Sequence, residues 1–155
     1  MIGIETVVED GRWADAVGDA ETLAARSFEA ARAKEARLAG AVALLLADDA
    51  LLKDLNKRFR GKDKPTNVLS FPSGEKAPGF IGDIAIAYET CAIEAAQKNI
   101  ALADHAAHLI VHGLLHLAGH DHENDADAEA MEALEIEILD AMGVSNPYAS
   151  EERVD

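Results

Sequence analysis

The first half of the chain alternates between strand-like and helix-like spacing of its apolar residues. Residues 2–8 (IGIETVV) predict a strand, and residues 13–36 carry apolar side chains at helical spacing. Residues 41–47 form a short, continuous apolar run, which is typical of a buried strand. Asp48 and Asp49 follow and offer N-cap carboxylates to the next helix. This half therefore predicts two strands, each followed by a helix.

The second half predicts two more strands and then only helices. Residues 67–71 (NVLSF) alternate like a strand, and residues 83–88 (DIAIAY) predict another after a loop rich in Pro and Gly. The predicted helices cover residues 90–98, 104–118 with Asp104 as their cap, and 125–142. The order βαβαββααα predicts an α+β domain, in which a small mixed four-stranded sheet packs with about five helices.

Length and composition favour one domain. A chain of 155 residues with 49% hydrophobic content can bury a single core, so we expect one domain over residues 1–142. Residues 143–155 form an acidic C-terminal segment that we expect to be flexible. Cys91 is the single cysteine, so an internal disulfide is excluded. We expect its thiol to be a small buried side chain. The N-terminus lacks the basic flank of a signal peptide, so we expect a cytoplasmic protein without membrane contact.

Charge is distributed unevenly along the chain. The formal net charge of −15 argues against a nucleic-acid partner, because phosphate binding depends on Lys and Arg. Residues 121–155 hold twelve acids and one Arg, whereas residues 53–64 hold six basic residues and two acids, a local net charge of +4. That basic stretch is either a solvated helix face followed by a loop or a contact for phosphates, and charge alone leaves both interpretations open.

Four of the six histidines lie between His112 and His122. His112 and His116 are four residues apart on a predicted helix, which places both imidazoles on one face, one turn apart. A left-handed Gly119 would end the helix and let His122 approach from a loop as a third ligand. Three nitrogen donors leave one position of a tetrahedral zinc ion open for an activated water. We therefore predict one Zn²⁺ per chain and a hydrolase.

For the neighbouring polar residues the plainer interpretation is favoured. His105 and His108 lie upstream on the same helix and are expected to be ordinary buried side chains, and His120 is expected to point away from the metal. Asp121 either orients an imidazole or forms a turn. For the trio His112, His116 and His122, such a structural interpretation is disfavoured because spacing, helix and glycine all agree with one metal geometry.

Two families share the spacing of these histidines. Metzincin proteases have Glu directly after the first His as the general base, and here that position is Gly113. The segment His112-Gly-Leu-Leu-His116-Leu-Ala-Gly119-His-Asp-His122 instead resembles the YbeY family of bacterial endoribonucleases, with its signature His-Gly-x-Leu-His-Leu-x-Gly-(Tyr or His)-Asp-His. A metalloprotease remains the less favoured alternative.

A second stretch is similar to the same family. Arg60-Gly-Lys-Asp-Lys-Pro-Thr-Asn-Val-Leu-Ser-Phe-Pro72 resembles its Arg-x3-Asp-x-Pro-Thr-(Asp/Asn)-Val-Leu-Ser-Phe-Pro motif, and Gly82-Asp83-Ile84 follows. The resemblance covers roughly residues 40–142. It implies a zinc-dependent hydrolase of single-stranded ribosomal RNA that acts at the 3′ end of the small-subunit RNA and in ribosome quality control. The small ribosomal subunit and its proteins are the implied partners, and no organic cofactor is implied.

The resemblance also gives roles to single residues. Arg60 matches the motif arginine and would contact the scissile phosphate, so that Arg60, His112, His116 and His122 form the expected catalytic set. Lys62 and Lys64 either bind flanking phosphates or are solvated loop residues, and the sequence favours neither interpretation. Asn67 and Ser70 are expected to support the backbone, and Asp83 is a weak candidate for orienting a ligand. No general base is identifiable, and a non-catalytic zinc-binding ribosome-assembly factor remains an alternative.

Overall fold

Four strands and six helices make up residues 2–74, 78–121 and 123–148, which are the part of the chain described by this computed structural model. The strands are β1 (Gly3–Val8), β2 (Ala41–Ala47), β3 (Val68–Pro72) and β4 (Phe80–Ala87). The helices are α1 (Arg12–Val17), α2 (Ala20–Lys34), α3 (Asp49–Arg60), α4 (Tyr88–Lys98), α5 (Leu102–Leu117) and α6 (Asp125–Ala141). The predicted α+β class is confirmed.

The strands form one mixed sheet in the order β1-β2-β4-β3. β1, β2 and β4 run parallel, and β3 pairs antiparallel with β4 at the sheet edge. Val42, Leu44 and Leu46 of β2 are buried in the main core, which lies on the face packed against α2 and α5. The intervening β2 residues Ala43 and Leu45 point to the other face, as the two-residue period of a strand requires. The sheet therefore has two differently covered faces.

The predicted helix over residues 13–36 is wrong in one respect, because the chain breaks it into α1 and α2. Gly18 has φ 73°, a backbone conformation that few other residues adopt, and it ends α1. Asp19 then caps α2 by accepting a hydrogen bond from the backbone N–H of Thr22 at 3.1 Å. The break lets Trp13 bury completely and donate its indole N–H to the carbonyl of Ala47 at 2.8 Å.

α5 is the most deeply buried of the described helices, since eleven of its residues are buried. It packs between the sheet and the helices α2, α4 and α6. The predicted Asp104 cap is wrong. α5 begins at Leu102 with Ala101 as its N-cap, and Asp104 lies within the first turn of the helix. No single helix among the described residues is long and apolar enough to cross a membrane; α4 and α5 reach that length and hydropathy only as a pair bent by 116°.

The first turns of α3 and α4 hold each other. Asp48 caps α3 by accepting from the N–H of Leu51 at 2.9 Å, as predicted. Asp49 has another role, because its carboxylate accepts from the backbone N–H of Thr90 at 3.0 Å and from its hydroxyl at 2.8 Å. In return, Glu89 accepts the backbone N–H of Asp49 at 2.9 Å. This reciprocal pairing fixes the start of α3 against the start of α4.

The C-terminal segment is described only as far as Tyr148. Its hydroxyl contacts Glu135 of α6 and the ring lies edge-on to His108 at 5.4 Å. Residues 149–155 lie outside the described residues, so the domain boundary at residue 142 and the flexible acidic tail stay predictions.

Candidate metal centre

Two histidines of α5 converge at one point beside the sheet. His112 and His116 lie one turn apart, both half-buried, with their Nε2 atoms 3.1 Å from each other. Two nitrogen ligands of a tetrahedral zinc ion, each at about 2.0–2.1 Å, stand roughly 3.3 Å apart. The spacing of the two Nε2 atoms therefore fits a shared metal ion, as the i, i+4 pattern predicted.

A buried carboxylate orients the first of these histidines. Oε2 of Glu135 on α6 lies 2.7 Å from Nδ1 of His112, and Glu135 is completely inaccessible to solvent. An ionised carboxylate is an acceptor only, so Nδ1 of His112 must carry the proton. The lone pair of this imidazole then lies on Nε2, on the side of His116. Glu135 thereby fixes the orientation of the His112 ring, with Nε2 directed toward His116.

The carboxylate of Glu135 has two further neighbours. The hydroxyl of Tyr148 donates to its Oε1 at 2.5 Å, and Nε2 of His108 lies 3.4 Å from its Oε2. Burial alone would raise the pKa of Glu135, but the hydrogen bonds from His108 and His112 outweigh it and hold the pKa at about 2. Glu135 is therefore ionised at neutral pH.

Sequence reasoning missed Glu135, although its position carried a signal. Met131, Ile138 and Leu139 are the buried apolar residues of α6, and Glu135 occupies the intervening position on the same helix face. A glutamate at a core position of a helix is seldom buried without a partner. In a chain with a predicted histidine cluster, that position indicated an imidazole partner.

The third predicted ligand, His122, lies outside the described residues. The turn before it is described: α5 ends at Leu117, and Gly119 has φ 103°, which confirms the predicted positive φ. The N–H of His120 returns to the carbonyl of Leu115 at 3.0 Å, so the chain turns back at the end of the helix. Among the residues that the structure describes, no group of three His, Cys, Asp or Glu side chains is placed to hold a metal.

Arg60 shares a cavity with the two histidines. It is the last residue of α3, which ends because Gly61 adopts a left-handed conformation with φ 71°. The cavity has a volume of about 420 Å³ and lies between α5 and the edge strand β3. It is lined by Arg60, Asn67, Val68, Leu69, Ser70, Pro72, His112 and His116. Arg60 is exposed and makes no hydrogen bond or ion pair with the described residues, so its guanidinium is available to an anion.

The cavity wall includes Asn67, just before β3, and Ser70 of β3, the two residues that the sequence assigned to backbone support. Ser70 donates its hydroxyl to the carbonyl of Gly113 at 3.3 Å, which links β3 to α5. Asn67 donates its amide to Glu94 at 3.0 Å and accepts the N–H of Val68 at 2.7 Å. Both are consistent with the support role, although both also line the cavity. No carboxylate is among its described lining residues.

Position 113, where metzincin proteases have their general base, is also a site of tight packing in this chain. A Cβ atom there would lie 3.0 Å from Cγ2 and 3.1 Å from Cδ1 of Ile84, and 3.2 Å from the hydroxyl of Ser70. α5 therefore approaches β4 more closely than a residue with a side chain allows at ordinary contact distance. The glutamate of a metzincin protease would require the side chains of Ile84 and Ser70 to shift.

The remaining histidines of α5 and its following turn pair with carboxylates. His105 lies 2.8 Å from Glu94, and both His105 and His108 are buried, as predicted. Nε2 of His120 contacts Glu35 at 2.7 Å and Arg37 at 3.1 Å. The hydrogen bond from Arg37, reinforced by His120, outweighs partial burial and holds the pKa of Glu35 at about 2.

Four further candidates from the sequence lie apart from the described histidine pair. Asp121 is exposed and accepts the N–H of Glu123 at 3.4 Å, which is a turn contact. Lys62 and Lys64 are exposed in the loop after α3. Asp83 pairs with Ala43 and Phe71 in the sheet and faces away from α5, so it does not orient His112 or His116.

Fold and site together define an α+β domain with a histidine pair and an arginine in one cavity. A sequence profile described as endoribonuclease YbeY matches residues 9–143. Endoribonuclease YbeY of Maricaulis maris is 43% identical and covers 98% of this chain and 95% of its own length. That of Erythrobacter litoralis is 51% identical over 90% of this chain and 91% of its own. The chain belongs to the YbeY endoribonuclease family.

A solved structure shares this fold. The solution structure of a Thermotoga maritima protein matches with a TM-score of 0.59 and 26% identity, covering 98% of this chain and 97% of that one. The four-stranded mixed sheet and the packed helices are therefore shared along nearly the whole chain.

Proposed function

We propose that this chain is a zinc-dependent endoribonuclease that cuts single-stranded ribosomal RNA. The observation that carries the proposal is the cavity that joins Arg60 of α3 with His112 and His116 of α5. Membership of the YbeY family supports RNA cleavage, and the converging Nε2 atoms support a metal ion. We propose maturation of the 3′ end of the small-subunit RNA and ribosome quality control, in the cytoplasm, as its setting.

In this proposal His112 and His116 would hold one zinc ion through their Nε2 atoms, with His122 as the expected third ligand. Bound zinc would supply a Lewis acid and activate water for hydrolysis of a phosphodiester. Glu135 keeps the proton of His112 on Nδ1 and so keeps its Nε2 available. The catalytic set is Arg60, His112, His116 and His122.

Arg60 binds the phosphate to be cut. Its guanidinium offers planar, paired donors and a permanent charge, and no described carboxylate competes for it. It belongs to a stretch with a local charge of +4 in a chain of −15, so RNA is attracted to this site rather than to the whole surface. Basic proteins of the small ribosomal subunit supply the complementary charge for the acidic remainder.

No protein base is assigned. The described cavity wall holds no carboxylate, and Glu135 is already engaged by His112 and Tyr148. The residues of this chain therefore position the phosphate and the metal, and proton transfer is left to water.

Metal analysis combined with cleavage of a single-stranded ribosomal RNA fragment tests the proposal. We expect His116→Ala to lose stoichiometric zinc and cleavage together. Arg60→Ala should keep zinc and cleave roughly 100-fold more slowly, because one charge-stabilising donor is lost. Arg58→Ala is the matched control, since Arg58 lies on the same helix but pairs with Asp54 at 3.4 Å.

The alternatives give different results. A protease would cut peptides and be indifferent to Arg60→Ala, and an assembly factor would bind zinc and ribosomes without turnover. RNA cleavage that persists in a metal-free His116→Ala sample would contradict the proposed site.

A further inference from the structure

A second cavity lies on the face of the sheet that points away from the histidines. Its volume is about 950 Å³, and its lining is mainly apolar. We call it the α3 groove, and its defining residues are Ala43, Leu45, Leu55, Phe59, Phe71 and Asp83. It is a different surface from the histidine cavity, with which it shares three lining residues.

The groove exists because α3 covers only part of this sheet face. Leu52 packs with Ala47, Ala85 and Ala87 in a small core at one end of the strands. Toward the other end, Ala43 and Asp83 are paired neighbours in β2 and β4, and both line the open groove. The fold therefore leaves apolar sheet surface uncovered beside a basic helix.

The groove is continuous with the proposed cleavage site. Arg60, Ser70 and Pro72 line both cavities. Ser70 and Pro72 belong to β3, which is an edge strand, so no further strand separates the two spaces. A strand of RNA whose phosphate is bound at Arg60 reaches the groove by crossing this edge.

The residue next to Arg60 supplies an aromatic surface at the groove. Phe59 is 65% exposed, which is unusual for a large apolar side chain. Its ring lies edge-on to Phe71, with centroids 5.3 Å apart and planes at 60°. Proteins that hold single-stranded nucleic acids commonly combine exposed aromatic rings with nearby basic side chains, because any base can stack on such a ring.

Charge decides which part of the RNA fits the groove. Asp83 is the only acidic residue among its described lining residues, and its carboxylate disfavours a phosphate there. The same carboxylate accepts hydrogen bonds from the amino groups of bases. The basic residues flank Phe59 along α3 and the following loop, where phosphates are favoured.

We propose that the α3 groove binds nucleobases of the single-stranded RNA adjacent to the phosphate held at Arg60, with Phe59 as the stacking surface. This inference rests on the proposed function. It makes Phe59 a substrate-binding residue that contacts bases rather than the reacting atoms.

The test uses anisotropy to measure the affinity of the zinc-loaded, full-length protein for a fluorescein-labelled single-stranded RNA of the substrate sequence, in which a non-hydrolysable phosphonate replaces the phosphate at the cleaved position. We expect Phe59→Ala to weaken binding about 5- to 100-fold, and Phe59→Trp to bind like the wild type. An RNA with abasic sites beside the cleaved position should bind the wild type as weakly as Phe59→Ala binds the intact RNA. The control is Ile93→Ala, which removes a side chain that is 57% exposed on α4, away from the groove.

The outcomes separate the two proposals. If wild type and Phe59→Ala bind and cut RNA equally, the groove is overturned and the proposed function stands. If the wild type neither binds nor cuts the RNA, the proposed function fails. Sedimentation that shows a dimer in the wild type and a monomer in Phe59→Ala would identify a second copy as the occupant and would overturn the base-binding role.

Discussion

Glu135 lies 2.7 Å from Nδ1 of His112, and this contact joins α6 to a proposed metal ligand on α5. The proposed metal site therefore depends on α6 as well as on α5. A carboxylate that accepts the Nδ1 proton fixes the tautomer and the ring orientation of a histidine ligand. Because Glu135 is fully buried and hydrogen-bonded to Tyr148 as well, the ring of His112 is held before any metal arrives.

Replacing Glu135 by Gln should weaken zinc binding. A neutral amide makes the imidazole of His112 less basic, and we expect a loss of about 10- to 100-fold in zinc affinity. Competition with a chromophoric chelator measures this affinity. Glu94→Gln is the matched control because Glu94 pairs with His105, which is not a proposed ligand. Equal losses in both variants would refute a specific role for Glu135.

Zinc should stabilise the wild-type fold. A ligand at 100 times its Kd adds about 2.7 kcal/mol to the free energy of unfolding, which corresponds to a rise in Tm of roughly 5 to 10 °C for a chain of this size. Differential scanning fluorimetry with and without zinc measures the rise. We expect it to vanish in His116→Ala and to persist in His120→Ala, because His120 pairs with Glu35. A rise retained in His116→Ala would remove this residue from the ligand set.

A larger side chain at position 113 should destabilise the fold. Gly113→Ala gains helix propensity but crowds Ile84, and we expect a net loss of about 1 kcal/mol in the free energy of unfolding. Gly113→Glu adds a buried charge and should lose more than about 3 kcal/mol without gaining protease activity. Urea unfolding measures both, with Ala130→Glu on the exposed face of α6 as control. A stable Gly113→Glu protein that cuts peptides would contradict this account of the position.

The thiol of Cys91 should be unreactive in the folded protein. Its side chain is completely buried, and burial, aided by the nearby negative charge of Glu94, raises its pKa to about 12. Since the thiolate is the reactive form, iodoacetamide should label Cys91 only when the chain unfolds. Mass spectrometry with increasing urea tests this, and full labelling of the native protein at neutral pH would be inconsistent with it.

Local sequence patterns predicted the strands and most of the helices, but not the break between α1 and α2. All four strands lie close to their predicted positions because apolar runs and alternation depend on neighbouring residues. The break at Gly18 was missed because the apolar spacing continues across it, although Gly18 and the capping residue Asp19 are local signals for a helix end and a helix start.

The residues of the candidate site also differ in how far the sequence alone could predict their placement. The spacing of His112 and His116 lies within one helix, so sequence alone placed the two imidazoles together. Arg60 could be brought to them only by resemblance, because its approach depends on the packing of α5 against β3. Glu135 stood out by its place among the apolar positions of α6, but which histidine it contacts depends on how α6 packs against α5.

The reciprocal pairing of Asp49 with Thr90 and Glu89 anchors the N-terminal end of α3 and sets the direction of its axis. Arg60 lies eleven residues further along the helix, or about 16 Å along its axis. If the axis tilts by about 5° at Asp49, the guanidinium moves by roughly 1.5 Å, and errors near 1 Å can cost about 100-fold in rate. Substitutions at Asp49, at the remote end of the helix, should therefore change the alignment of substrate at Arg60 and leave the zinc content unchanged.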